Sequence, residues 1–212
     1  MKFLVTFLLF CLVLPSCNTD RSAENKRLEL VSGSFGEAQL TFVQKAVQLN
    51  SIQLNYPNFS SKIFNSLVKQ LILRDTIGVF CTEQENLNIT YKVEHFSKNL
   101  LCLSKLVKVK CPMGNKNFQI NEVQTYFQNN DSIFKVEFEA HADFKKDLLT
   151  QLEERSMSRC TKPDLNQLNF ILRKGKFYVH VPYDFPICNT EIPFSFGKNT
   201  VKVASLTPVD LN

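Results

Sequence analysis

Regular alternation of apolar and polar side chains between residues 87 and 139 constrains the fold of this chain more than any other feature. The first alternating segment places five residues on one side: Leu87, Ile89, Tyr91, Val93 and His95. Three further segments follow before residue 139, and turn-forming residues separate them, as at Lys98-Asn99 and Asn129-Asn130-Asp131. This pattern predicts a four-stranded antiparallel meander with one buried face. The apolar phase slips near Asn121, which predicts a bulge there.

Two other segments have helical periodicity. Thr41 to Leu54 resembles a strand, and after Pro57 either Ser60 or Ser61 can cap a helix that runs to Arg74. That helix has one apolar stripe: Ile63, Phe64, Leu67, Val68, Leu71 and Ile72. A second helix begins at Asp143 and carries Phe144, Leu148, Leu149 and Leu152. With a hairpin around Lys174-Gly175 and a last short strand over residues 200–203, the chain is predicted to be α+β: a single domain with a mostly antiparallel sheet and two main helices packed on it.

Residues 1–16 have the pattern of a secretory signal peptide. Lys2 precedes an apolar run from Phe3 to Leu14, which is too short to span a bilayer as a mature helix. Leu14-Pro15-Ser16-Cys17 resembles a bacterial lipoprotein cleavage box, although Pro15 departs from the usual residue. We therefore expect Cys17 to be lipidated and to become the N-terminus. An ordinary secreted protein cleaved between Ser16 and Glu24, or a retained anchor helix, is the alternative.

The predicted organisation has three parts. Residues 1–16 are the signal peptide, residues 17–39 the lipidated cysteine and a polar tether, and residues 40–212 an α+β envelope domain that begins between Leu28 and Leu40. Asn18, rather than aspartate, follows Cys17, which favours the outer membrane, facing the periplasm or the cell surface. The membrane, reached through the lipid, is thus the first predicted partner.

Charge and cysteine content restrict the function further. Removing Lys2 with the signal lowers the formal net charge from +5 to +4, and no Lys/Arg block with interleaved aromatic residues is present, so nucleic acid is not expected as a partner. Export permits disulfides. Five cysteines follow Cys17, an odd number that leaves at least one thiol unpaired: Cys81, Cys102, Cys111, Cys160 and Cys188.

Four short segments, in this order, resemble a known family. They are Leu54-Asn55-Tyr56-Pro57-Asn58-Phe59 with Asn65, Ile89–Val93 with Leu100–Ser104, Ala142-Asp143-Phe144 with Leu148 and Leu152, and Phe170–Tyr183 with Thr190–Phe194. Together they resemble the extracytoplasmic domain of unknown function shared by RsiV-type lysozyme-sensing anti-sigma factors, some peptidoglycan deacetylases and stand-alone Bacteroidetes lipoproteins. The resemblance covers about Leu40 to Val203. Where that family often carries a Gly-Gly-Ala-His loop, this chain has Cys111-Pro112-Met113-Gly114-Asn115.

The histidines are the first candidates for chemistry. If Lys98-Asn99 forms a two-residue turn, Cys102 lies opposite His95, and a Cys–His pair could act as nucleophile and base, although packing is the simpler role for both. His141 lies between Glu139 and Asp143, where it could bind a metal or titrate, or could simply begin a helix. His180 lies near Tyr178 and Asp184 in a polar cross-strand group.

Paired carboxylates are a second possibility for chemistry. Glu137 with Glu139 should face outward from a strand, and Glu153 with Glu154 should lie on an exposed helical turn. Neither pair has the contrasting environments that divide two carboxyl groups into an acid and a base. The sequence therefore predicts no catalytic residues, no metal ligands and no cofactor.

The C-terminal part is rich in aromatic residues and proline. Aromatic side chains on a rigid hairpin can anchor a partner protein, although they more often belong to a core. The candidate binding residues are Tyr178, Tyr183, Phe185 and Phe194.

The sequence thus favours a lipid-anchored, non-enzymatic envelope protein that binds a macromolecule or envelope component. The alternative is a hydrolase of envelope polymers that uses His141 or Cys102. A pocket that joins a histidine to a carboxylate or a thiol would favour the hydrolase. The family resemblance implies lysozyme as a ligand, but lysozymes are usually basic and this domain is also positive, so lysozyme is not expected.

Overall fold

The meander predicted between residues 87 and 139 lies at the centre of the fold. The computed structural model describes residues 18–77, 86–110, 117–155, 163–182, 188–197 and 199–211. These ranges contain three α-helices: α1 (Asn18–Ser34), α2 (Lys62–Ile77) and α3 (Ala142–Arg155). They also contain ten strands: β1 (Val43–Leu49), β2 (Ile52–Asn58), β3 (Asn86–Phe96), β4 (Leu100–Lys110), β5 (Asn117–Asn129), β6 (Ser132–Ala140), β7 (Asn169–Arg173), β8 (Lys176–Val181), β9 (Thr190–Phe194) and β10 (Val201–Pro208).

The strands form two sheets. Seven strands make the large sheet, in the order β1-β2-β3-β4-β5-β6-β10, and β7-β8-β9 make a small antiparallel sheet. In the large sheet only β2 and β3 are parallel, over Ile52–Asn55 beside residues 87–90, and α2 lies between them in the chain. Parallel neighbours require such a crossover connection. The α+β class with a mostly antiparallel sheet is therefore confirmed.

Three cores hold the layers together. α2 packs on one face of the large sheet, where Phe64, Leu67 and Val68 contact residues of β3 and β4 such as Ile89 and Leu103. The opposite face is covered by the end of α1 and by β7 and β8. The small sheet in turn packs Val179 and Ile192 against Leu148 and Leu152 of α3.

The helix predicted from Ser61 is confirmed, and local hydrogen bonds explain its start. The Ser61 Oγ accepts a hydrogen bond from the Phe64 amide at 3.4 Å, which is the role of an N-cap. The Asn65 side chain bonds both the amide and the carbonyl of Phe59 at 2.8 Å, which fixes the chain before the helix. Leu67 is completely buried.

The N-terminal helix α1 was not predicted. The sequence assigned residues 17–39 to a polar tether and predicted two main helices, whereas the described residues contain three. Val31 is completely buried and Phe35 is 7% exposed, and both belong to the core on the second face of the large sheet. The folded region therefore reaches into the segment predicted as a tether, because Val31 near the end of α1 and Phe35 just after it are packed in this core.

Two details of the strands also differ from the predictions. The segment 41–54 was predicted as one strand, but a turn with Asn50 at a φ of 51° divides it into β1 and β2. β2 also continues past the predicted end at Leu54 and contains Pro57, because parallel pairing with β3 stops at Asn55 and leaves the proline nitrogen outside that ladder.

The bulge predicted near Asn121 is wrong. The pairing of β4 with β5 runs without interruption, and the apolar phase changes there because Ile120 packs on the α2 side while Val123 packs on the other side. A bulge instead lies in β3 between Val93 and His95.

Candidate functional site

His95 and Cys102 lie directly opposite each other, as predicted. The bulge in β3 turns His95 away from the α2 side and toward the face that Cys102 shares with the core of α1 and the small sheet. Both side chains are buried, and among the described residues neither ring nitrogen of His95 has a hydrogen-bond partner. Burial raises the pKa of the Cys102 thiol to about 11. A thiol of this kind stays protonated at neutral pH, so the pair lacks the thiolate that nucleophilic catalysis requires.

His141 caps a helix. Its Nδ1 accepts a hydrogen bond from the Asp143 amide at 3.4 Å and lies 3.5 Å from a carboxylate oxygen of the same aspartate, while both side chains remain exposed. In the part of the chain that the structure describes, no three His, Cys, Asp or Glu residues cluster so that they could hold a metal ion.

Glu137 and Glu139, the first pair of candidate carboxylates, each bind a different side chain of β10. Glu137 accepts a hydrogen bond from Ser205 at 2.9 Å, and Glu139 forms an ion pair with Lys202 at 2.9 Å. Both are exposed on the outer side of β6, and Glu153 is exposed on α3.

Of the four aromatic candidates, the structure describes Tyr178 and Phe194. The guanidinium carbon of Arg173 lies 5.3 Å from the centre of the Tyr178 ring. Phe194 packs against the rings of Phe144 and Phe177, with centroid distances of 5.2 and 5.6 Å. Tyr183, Phe185 and Cys17 lie outside the described residues.

The structure instead brings polar residues together in a cleft between the two sheets. This cleft has a volume of about 390 Å³ and is lined by side chains of β3, β4, β5, β7, β8 and β9. Its most informative lining residues are Lys92, Glu94, Ser104, Arg173, His180 and Glu191.

Glu94 is positioned by the bulge in β3. Val93 pairs with Leu103 and His95 pairs with Cys102, so no residue of β4 lies opposite Glu94. Bulges re-aim side chains in this way. The free backbone carbonyl of Glu94 accepts a hydrogen bond from the Lys174 amide at 3.2 Å, which attaches the β7–β8 turn to β3.

The Glu94 carboxylate is only 3% exposed and is surrounded by donors. One oxygen accepts from Lys92 Nζ at 2.9 Å and from Ser104 Oγ at 2.8 Å, and the other accepts from Arg173 Nε at 2.6 Å. Burial alone would raise the pKa of Glu94, but the hydrogen bonds from Lys92, Arg173 and Ser104 outweigh it and hold the pKa below its usual value. Glu94 is therefore a carboxylate at neutral pH.

Arg173 joins Glu94 to a second carboxylate. Its Nη1 lies 2.7 Å from one oxygen of Glu191 and its Nη2 lies 3.3 Å from the other, a bidentate arrangement. Glu191 pairs across the strands with His180, so the imidazole shares the cleft with this ion-pair network. Within the described residues, His180 takes part in no hydrogen bond or ion pair with these carboxylates.

A separate network lies on the α2 side of the large sheet. Buried Asp75 accepts a hydrogen bond from the Tyr91 hydroxyl and forms an ion pair with Lys105 at 3.2 Å, and Lys105 also contacts Glu122 at 2.8 Å. Burial, and then the bond to Asp75, raises the pKa of Tyr91. The space beside these residues is too small for a ligand, so the network ties α2 to the sheet.

Sequence reasoning missed the cleft. The alternation of residues 87–95 predicts one buried face and places Lys92 and Glu94 on the opposite, polar face, and Arg173 lies next to the predicted Lys174-Gly175 turn. Only the position of the small sheet over that face brings them together, and no local pattern signals it.

No protein-family model matches this chain, and no curated protein matches its sequence significantly.

Proposed function

We propose that this chain is an exported, lipid-anchored cell-envelope protein whose domain binds an envelope component without chemical change. The signal-like residues 1–16, Cys17 and the resemblance to the extracytoplasmic domain of the RsiV-type proteins support the location. None of the helices within the described residues is long and apolar enough to cross a membrane.

The cleft between the sheets is the proposed binding site. The observation that carries this proposal is its ion-pair network, in which Arg173 holds Glu94 and Glu191 in fixed positions. Groups that are already held in place lose little freedom when a ligand binds. The lining therefore offers preorganised polar contacts.

The charges in the cleft indicate the kind of ligand. Lys92 and Arg173 balance Glu94 and Glu191, and Asn121 and Asn169 add exposed amide groups at the rim. A balanced, hydrogen-bonding surface favours a neutral polar molecule over a strongly charged one. A hydroxyl-rich envelope glycan is the polymer that fits this lining best.

The same geometry favours binding over hydrolysis. A glycosidase needs one carboxyl group that stays protonated to donate a proton to the leaving group. The lowered pKa of Glu94 and the bidentate contact of Glu191 with Arg173 keep both groups in ion pairs.

The hydrolase remains the second candidate because of one observation. His180 shares the cleft with Glu94 and Glu191, which is the kind of pocket expected for an enzyme. An imidazole beside carboxylates could act as a general base.

Co-sedimentation with insoluble envelope glycan tests the two functions. Asn121→Arg with Asn169→Arg places two bulky charges at the exposed rim, and we expect at least about a tenfold weaker retention, equal to about 1.4 kcal/mol of binding energy. Gln151→Arg, on the exposed face of α3, is the matched control and should bind like the parent.

The supernatant distinguishes the alternatives. Release of soluble sugar fragments that stops in His180→Ala would establish the hydrolase. If no envelope glycan retains the parent protein, or if the double variant binds equally well, the cleft is not a glycan-binding site.

A further inference from the structure

The groove between β1 and α2 has the features of a second binding surface, on the far side of the large sheet from the cleft. It has a volume of about 410 Å³ and is lined by β1, β2 and α2. We infer that it binds an extended peptide segment, with apolar and acidic residues, that adds as a strand to the free edge of β1.

The edge of β1 is open to another strand. β1 ends the large sheet and pairs with β2 on one side, so within the described residues no strand lies beyond it. Proteins usually protect such edges with charges, proline, bulges or short strands. β1 instead pairs with β2 through seven consecutive residues without a bulge, and its sequence Val-Gln-Lys-Ala-Val-Gln-Leu contains one charge and no proline.

Apolar side chains line the groove next to this edge. Val47 and Leu49 of β1 face Ile72 and Leu73 of α2 across it. Leu49 is 58% exposed and Leu73 is 54% exposed, although both are large and apolar. A strand added to β1 would cover these side chains with its own alternate residues while its backbone pairs with the edge.

The charged side chains that line the groove indicate which kind of ligand it binds. Among the described residues that line the groove, Lys45 and Lys69 are the charged ones, both are exposed, and none is acidic. Carboxylates on the incoming strand would complement both lysines. A second copy of the chain is a poorer occupant, because it would bring the same lysines and a positive net charge.

Fluorescence anisotropy with two synthetic peptides tests this inference on the full chain in a neutral detergent. One labelled peptide alternates valine with glutamate over about eight residues, a usual strand length, and the other alternates valine with lysine. We expect the acidic peptide to bind and the basic peptide not to bind. Affinity for the acidic peptide should fall as salt is added, because the lysines are exposed.

Three variants locate the site. Lys45→Glu with Lys69→Glu should weaken binding of the acidic peptide by at least about tenfold, because attraction becomes repulsion. Lys146→Glu, the same substitution at an exposed lysine on α3, is the control and should leave binding unchanged. Asn121→Arg, which obstructs the cleft, should also leave it unchanged. All the substituted residues are exposed or at the rim, so thermal unfolding should match the parent.

Several outcomes would overturn the inference. Equal binding of both peptides would show that only nonspecific apolar contact occurs. No binding at millimolar peptide concentration would show that the edge of β1 does not accept another strand. Concentration-dependent dimers that Leu49→Lys dissociates would show that a second copy occupies the groove.

Discussion

His95 is a titratable side chain in a core that offers it no hydrogen-bond partner. It is 1% exposed, and its two ring nitrogens are unpaired within the described structure. Burial lowers the pKa of His95, although the charge of Glu37 acts in the opposite direction. The imidazole is therefore neutral in the folded protein over a range of pH in which an exposed histidine would be charged.

The burial of His95 predicts that folding stability depends on pH. Below about pH 6.5, the usual pKa of histidine, His95 takes up a proton in the unfolded chain but not in the folded one. Folding stability should fall as the pH is lowered from about 6.5 toward the folded pKa. In His95→Leu this part of the decline should disappear, and stability at pH 8 should change little, because no hydrogen bond is lost.

Urea unfolding of parent and variant between pH 5 and pH 8 measures the effect. Leu73→Ala, which changes an exposed side chain with no titratable group, is the control and should keep the parent's dependence. If His95→Leu shows the same slope as the parent, the imidazole is not buried in its neutral form.

Arg173 joins two sheets that have no strand in common. Of its two ion pairs, the one with Glu94 is the more deeply buried, since that carboxylate is 3% exposed. Arg173→Met should destabilise the fold by about 1.5–3 kcal/mol, the range for a hydrogen bond to a charged group. The loss stays below the full penalty for a broken buried ion pair because Lys92 and Ser104 still bind Glu94.

The pH dependence of folding stability shows whether the lost ion pair with Glu94 causes this destabilisation. Because the folded pKa of Glu94 is lowered, its ionic contribution is present above about pH 4.3, the usual pKa of glutamate, and is lost as the pH falls through the folded value. The difference between parent and Arg173→Met should therefore shrink in acid. A difference that stays constant to pH 3 would mean that Arg173 acts only through packing.

The helix α2 allows a matched comparison at the scale of one element. Leu67 is completely buried, and Leu73 on the same helix is 54% exposed. Leu67→Ala should cost about 2–5 kcal/mol because it leaves a cavity under the helix. Leu73→Ala should stay within about 0.5 kcal/mol, as expected for a surface position. Equal losses in urea melts would show that α2 is docked with a different face.

The elements that sequence predicted correctly have a regular apolar period or a clear turn signal. The apolar stripe of α2 and the alternation of β3 and β6 are regular, the β7–β8 hairpin has the Lys174-Gly175 turn, and their positions agree with the structure. β5 misled the prediction because both of its faces are covered. The β1–β2 turn at Asn50 was missed because apolar residues continue on both sides of it.

The cleft could not be predicted from local sequence patterns, for a different reason. Glu94 and Arg173 are 79 residues apart in sequence. Each occurs in a segment that is amphipathic in the ordinary way, so neither is unusual alone. Only the packing of the small sheet on β3 converts two surface charges into a buried pair, and that packing depends on the whole molecule.

Contacts between distant parts of the chain also define where the domain begins. Phe35 contacts the rings of Phe177 and Phe196, each at a centroid distance of 4.8 Å. Glu37 then accepts hydrogen bonds from Ser97 Oγ at 2.7 Å and from Asn99 Nδ2 at 2.7 Å, which attaches the segment after α1 to the β3–β4 turn.

A shortened chain tests this boundary. A chain of residues 40–212 loses Val31, Phe35 and Glu37, and removing one buried phenylalanine side chain alone costs about 3–5 kcal/mol. Since whole domains are stable by only about 5–15 kcal/mol, we expect it to be unfolded or close to unfolding at 25 °C. A chain of residues 25–212 should unfold like the chain from residue 18. Equal circular dichroism melts of all three would return residues 18–39 to the role of a tether.

The packing of α1 also changes what a lipid on Cys17 would do. A free chain of fourteen residues could reach about 45 Å from the membrane, whereas a helix rises only about 1.5 Å per residue. Because α1 runs from Asn18 to Ser34 and is attached at Val31, lipidation would hold the domain about 20 Å from Cys17. The domain would then lie near the envelope surface with little freedom to move away.

Lipidation itself is tested by substitution of that cysteine. Metabolic labelling with a fatty-acid analogue should mark the parent protein, and Cys17→Ala should remove the label and release the protein from the membrane fraction, because the thiol is the attachment point. Cys102→Ala should keep the label, since its thiol is buried and protonated. Equal labelling of Cys17→Ala and the parent would rule out a lipid at this position, and the helix α1 would then be the N-terminal element of a secreted domain.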